Sequence, residues 1–367
     1  MNKKLTTIGI IIVILGALAV GFIAFRGRTS NPAGDKPVIK IGAILPLSGD
    51  LGNVGESAKN AIMLAVADAN KNTDNKYYYK LVIDDDRFEV KKDVVLANKQ
   101  ITGDGARAII GFASTPGLVV APIANKNKVI YLNVGASDQN IAKGDYTFIH
   151  WTMPSQTAGK LVEFFVKQNY KNIAIVSEVD AGFSVIEKAF SAAAKKAGLK
   201  TKTFEVNPTE KDFRPILAQI KKLKPDALVV GVWGAQLPIL VKQYHESGFA
   251  MPIANIETFS MAPDFNILEG AYFSDVAQSP EEFNARLRRE YKSTASDFAT
   301  GNFYDAAMLV VRAFESADTP DDAATALSAI KEYDGIVGHL TQDETGIFQS
   351  GAVIKQVKNG MPALITE

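Results

Sequence analysis

The chain has 367 residues, 47% of them hydrophobic and 22% charged, with 40 basic side chains balancing 40 acidic ones. The composition is globular and the length exceeds one core of roughly 100–200 residues, so two domains or lobes are expected, and a neutral body with no basic run argues against nucleic-acid binding. The absence of cysteine excludes disulfides, thiolate zinc sites, cysteine nucleophiles and the lipid-bearing cysteine of a lipobox.

After Lys3 and Lys4, the stretch Leu5 to Phe25 carries no charge. As a helix it reaches roughly 31 Å, close to the thickness of a bilayer's hydrocarbon core. It reads as a cleaved signal peptide or an uncleaved signal anchor. Ala19-Val20-Gly21 has the spacing for cleavage, but the apolar run continues to Phe25, and the anchor is the reading adopted. Both place the body outside the cytoplasm. Residues 26–37 are small and polar, broken by Pro32 and Gly34, and form a flexible linker.

The body alternates strands and helices. Val38–Leu45 is an apolar run closed by Pro46. A glycine-rich loop from Ser48 follows, then Ala58, Ala61, Ile62, Ala65, Val66 and Ala69 at helical spacing. Tyr77–Ile83 predicts a strand ending in Asp84-Asp85-Asp86, an acid cluster expected to cap and charge the next helix, Val90–Ile101. Strand Ala108–Gly111, helix Leu118–Lys126 and strand Val129–Leu132 complete the first series. The second runs from helix Ala158–Gln168 through strand Asn172–Val176, helix Val185–Ala197 and strand Thr201–Val206. Then come a helix marked by Phe213, Ile216, Leu217, Ile220 and Leu223, strand Ala227–Val232, helix Leu237–Ser247 and strand Pro252–Asn255. Such alternation predicts parallel βαβ units. The halves rhyme, ARAIIGFAST from Ala106 against PDALVVGVWG from Pro225, so an α/β protein of two doubly wound, Rossmann-like lobes is expected.

In such sheets ligands gather beyond the carboxyl ends of the strands. The loops there contain no nucleophile–base pair, no G-x-S-x-G elbow and no Walker sequence, and Gly49, Gly52 and Gly55 miss the dinucleotide order. No catalytic residue, metal or cofactor is expected. His150, His245 and His339 lie far apart and are read as structural. Ser114 and Thr115 offer hydroxyls at a helix start, suited to a carboxylate. Gly135-Ala136-Ser137 offers a similar turn one strand along. Glu257 follows the corresponding strand of the second half, so a carboxylate faces a donor-rich wall across a cleft. That arrangement is complementary to a zwitterion.

Here the sequence resembles the branched-chain amino-acid-binding proteins, extracytoplasmic receptors of ABC importers with the type I periplasmic-binding fold. The resemblance runs from Ile39 to about Val357. It rests on IKIGAILPLSGDLGNVGESAKNAIMLAVADAN, LVIDDD, IIGFAST, YLNVGAS, NIAIVSEVDAGFS, KDFRPILAQIKKLKPDALVV, NIETFS, GNFYDAAMLV and IVGHLTQDETGIF in that order. It implies that Thr115 and Ser137 give hydroxyls and Gly135 backbone groups to a ligand carboxylate, with Ser114 and Ala136 on the same wall. It further implies that Glu257 receives an ammonium and that Trp233 closes over it. Phe183 falls near where the family usually has a tyrosine, Val54 at a position aromatic in some relatives, and the turn at Pro116 is one residue shorter.

The lobes are expected at 38–152 plus 278–338 and 153–277 plus 339–367, joined by a three-crossing hinge at Trp151–Ser155, Asp275–Ser279 and Gly338–Thr341. The expected function is a non-enzymatic receptor that closes around a small amino acid and delivers it to the membrane subunits of an ABC transporter. The alternatives are an amide, short peptide or organic acid as ligand, and an enzyme on a doubly wound sheet.

Overall fold

The computed structural model describes residues 33–262 and 264–365. The apolar segment Leu5–Phe25 lies outside the described residues. Among those described, no helix is long and apolar enough to cross a membrane.

Strands β1 (Val38–Leu45), β2 (Tyr78–Asp85), β3 (Ala108–Phe112), β4 (Ile130–Val134) and β5 (Thr147–His150) come first. They are followed by β6 (Asn172–Glu178), β7 (Lys200–Val206), β8 (Ala227–Gly231), β9 (Ile253–Ile256) and β10 (Tyr272–Val276). The last are β11 (Glu332–Gly335), β12 (Gly338–Gln342), β13 (Ile347–Gln349), β14 (Ala352–Lys358) and β15 (Met361–Leu364). They form two sheets, ordered β2-β1-β3-β4-β5-β13-β12-β11 and β7-β6-β8-β9-β10-β14-β15. The first five strands of each sheet follow one plan, so β3 corresponds to β8 and β4 to β9. Pairings such as Ala108↔Ile130 and Leu228↔Ile253 are parallel. β3 and β4 are buried throughout, which is why they read as unbroken apolar runs and not as alternating ones.

Helices fill the crossovers with the expected faces inward. Gly52–Lys71 buries Ala58, Ala61, Ile62, Ala65, Val66 and Ala69. Each large side chain so covered, Ile62 for example, contributes about 1.5–3 kcal/mol. Several helices start earlier than their periodicity suggests, because polar first turns carry no apolar signal: the helix after β3 is Ser114–Lys126 and the one after β6 is Ala181–Lys196. The acid cluster departs from expectation. The helix at Val90 has no side-chain cap. Instead Asp85 accepts from the Leu47 N–H at 2.9 Å and the Arg87 N–H at 3.0 Å, Asp86 accepts from the Phe88 N–H at 2.7 Å, and Asp84 pairs with Lys99 at 2.8 Å.

The chain passes between the sheets after β5, after β10 and after β13. The third passage corrects the expected one at Gly338–Thr341. Residues 339–349, assigned from sequence to the second lobe, belong to strands and turns of the first sheet. Gly335 and Gly338 bound a hairpin whose turn is held by the buried Asp305 carboxylate, accepting from the N–H groups of Ile336 at 2.8 Å and Val337 at 3.1 Å. The passage itself, near Ser350, is tied to the first by the Thr152 hydroxyl, which donates to the Ser350 carbonyl at 2.9 Å. His150 sits beside it fully buried, its imidazole pushed down to about 4 by burial.

Candidate functional site

Three loops at the carboxyl ends of β3, β4 and β9 open with a positive φ: Ala113 at 63°, Gly135 at 74° and Glu257 at 71°. This region of backbone space favours glycine, and holding a non-glycine there costs on the order of 1 kcal/mol. At Gly135 the need is also spatial, since a Cβ would lie 2.8 Å from the Phe112 ring. The reversals aim all three loops at one cavity of about 40 Å³, lined by Phe112, Ser114, Gly135, Ser137, Trp151, Phe183, Trp233, Glu257 and Phe298 among others.

Glu257 is the buried acid of this cavity, whose lining also includes the half-buried Asp180. The Glu257 N–H donates to the Ser274 carbonyl at 2.7 Å, which fixes the turn. Its side chain is 4% exposed and accepts from the Trp151 indole N–H and the Thr157 hydroxyl, both at 2.7 Å. Burial pushes the acid up to about 7, while hydrogen bonds from Trp151, Thr157 and Ser137 pull it down and Asp275 adds repulsion. Among the described residues no cation pairs with it. Asp275, nearby, is instead neutralised by Lys355 at 2.7 Å.

The opposite wall belongs to the first lobe. The Ser114 hydroxyl accepts from the N–H groups of Ser137 at 2.9 Å and Asp138 at 3.3 Å, locking the two loops together. The N–H groups of Ser114 and Thr115 lie in the first helical turn, where the helix itself supplies no acceptor. The Thr115 hydroxyl points elsewhere and donates to Asp180 across the cleft at 2.5 Å. Asp180 also caps its own helix, accepting from the N–H groups of Gly182 at 2.7 Å and Phe183 at 3.3 Å. A second bridge is aromatic: Phe88 of the first lobe meets Trp233 of the second edge-on at 5.0 Å.

Thus Ser114, Gly135, Ser137, Phe183, Trp233 and Glu257 are brought together around one cavity. Thr115 lines the outer mouth instead, and Ala136 is fully buried outside the lining. Val54 lies in the first lobe's core, 3% exposed, and is also absent from the lining. Sequence reasoning missed Trp151, Thr157, Asp180 and the rings of Phe88, Phe112 and Phe298. Of these only Asp180 carried a local signal, an acid immediately before a helix start.

Two sheets of one plan, three passages between them and a buried carboxylate at their junction define a binding protein of the kind that closes two lobes on a small solute. The chain belongs to the periplasmic binding protein family, whose profile matches residues 38–361. It is 27% identical over 349 residues to the Leu/Ile/Val-binding protein homolog 3 of Brucella melitensis, covering 90% of this chain and 94% of that one. In structure it resembles a leucine-binding protein of Thermotoga maritima, with a TM-score of 0.81, 21% identity, and 89% and 98% of the two chains covered. It resembles equally a solute-binding protein of an ABC transporter from R. palustris, in complex with 4-hydroxybenzoate. There the TM-score is 0.81 and the identity 19%, with 90% and 96% of the chains covered.

Proposed function

We propose that the protein is an extracytoplasmic, non-enzymatic receptor that closes around a small amino acid, branched-chain or similar, and delivers it to the membrane subunits of an ABC transporter. Glu257 carries the reading. A carboxylate buried to this degree against neutral donors is costly alone and favourable beside a bound cation, and an α-ammonium supplies that cation. The α-carboxylate takes the first-turn N–H groups of Ser114 and Thr115 and the Ser137 loop, at a helix end suited to anions. Phe112, Phe298 and Trp151 leave apolar surface for a side chain. The name of the Brucella relative supports the same class of ligand. The segment Leu5–Phe25 is the proposed tether, and recovery of the chain in the membrane fraction, lost on deleting residues 5–25, tests it.

An organic acid is the second reading, favoured by the aromatic lining and by the 4-hydroxybenzoate held by the R. palustris protein. A thermal-shift screen of amino acids and aromatic acids separates the two. A ligand at 100 times its Kd raises stability by about 2.7 kcal/mol. Stabilisation by amino acids that disappears in Glu257→Gln supports the first reading; stabilisation by benzoates that survives it supports the second.

A further inference from the structure

Asp180 and Trp233 line two spaces, the inner cavity and an outer chamber of about 1020 Å³ at the mouth of the cleft. The ring of Trp233, held edge-on by Phe88 at 5.0 Å and Phe183 at 5.4 Å, stands between them. The chamber is lined by Asp50, Glu89, Glu178, Asp180 and Glu210 against two basic residues, Arg87 and Lys211. Most of these acids have partners. Asp180 is the cap and bridge described above, Glu89 pairs with Lys92 at 2.9 Å, and Glu210 accepts from the Lys211 and Asp212 N–H groups at 2.9 Å. Arg87 lies 3.8 Å from Asp85.

Glu178 differs. It ends β6, is only 6% exposed, and lines the chamber together with Trp233. Among the described residues no cation pairs with it. Burial and then the neighbouring Asp180 push it up to about 7. A carboxylate has about four acceptor positions, and Glu178 brings them to the wall of the chamber.

We propose that Glu178 is a second cation subsite, so that the outer chamber takes an ammonium or guanidinium group and the receptor's ligands include amino acids with basic side chains. The proposal rests on the amino-acid reading of Glu257. A chain leading out of the inner cavity passes Trp233, whose face attracts a cation. The group can be the side chain of the bound amino acid or a separate amine.

The test is calorimetry on the full-length protein with L-lysine and L-norleucine, which share a six-carbon skeleton and differ by the terminal ammonium, and with n-butylamine as a separate amine. Lysine is expected to bind on the order of tenfold more tightly than norleucine, and Glu178→Gln to abolish that ratio while leaving norleucine unchanged. Norleucine binding that is lost in Glu257→Gln, with lysine no tighter than norleucine in the native protein, overturns the outer subsite and leaves the amino-acid reading standing. A ratio that survives Glu178→Gln overturns it too. If neither amino acid binds, the amino-acid reading falls. Butylamine that binds the native protein and not Glu178→Gln then supports the subsite with a separate amine, and butylamine that binds neither overturns it.

Discussion

The loop after β4 and the loop after β9 occupy the same place in two sheets of one strand order, yet they do opposite chemistry. The first supplies Gly135 and Ser137, backbone and hydroxyl groups without charge. The second supplies Glu257, buried and charged. The first lobe buries acids as well, but Asp86 and Asp93 face its own interior, where burial and then the neighbouring Asp86 charge push Asp93 up to about 8. Both lobes therefore hold acids at high proton affinity, and only the second aims such acids at a cleft. The lesson is that a repeated scaffold sets positions, while single residues at strand ends decide polarity.

The comparison breaks most directly at Glu257. Glu257→Gln removes the proposed counter-charge and is expected to weaken amino-acid binding at least 100-fold, about 3 kcal/mol, as measured by calorimetry. The native protein should show the same dependence through pH. Glu257 holds its proton below about 7, and a bound ammonium needs the ionised form. Affinity should then fall roughly tenfold per pH unit from 7 to 5, a slope that Glu257→Gln removes.

On the uncharged side, Gly135→Ala meets both the 74° φ and the Phe112 ring. It is expected to cost about 1–3 kcal/mol of stability in denaturant unfolding and to disturb the Ser137 loop. Thr115→Val leaves the Asp180 cap intact and removes only its bridge across the cleft. Ligand affinity should drop about fivefold while the unfolding midpoint stays put. The smallest effect tests the inward-facing acids. Asp93 is protonated when folded, so its contribution to stability is complete below 3.8 and declines as pH rises through 8. Asp93→Asn should flatten that decline, raising the midpoint at pH 8 by a few degrees relative to the native chain and changing it little at pH 4.

Much of the fold was legible because parallel strands and amphipathic helices write strong periodicities. β1 matches its apolar run from Val38 to Leu45, and the inward face of Gly52–Lys71 is the one its spacing marks. β5 was not legible: Thr147–His150 is four residues long and becomes a strand only by pairing with β4 and β13. The third passage was misplaced for a related reason. Ile336–Val337 looks like a connection, and its identity as a hairpin turn depends on Asp305, some thirty residues earlier, reaching its N–H groups.

For the site, the order of residues alone marked the loops, and it put hydroxyls and N–H groups on one side and an acid on the other, since strand ends in a doubly wound sheet converge whatever the side chains. Tertiary structure decided how each group is used. It turned the Thr115 hydroxyl onto Asp180, placed Val54 in a core and brought Trp151 and Thr157 onto Glu257 from 106 and 100 residues away. Hydrogen bonding and burial depend on neighbours distant in sequence, and local spacing carries no record of them.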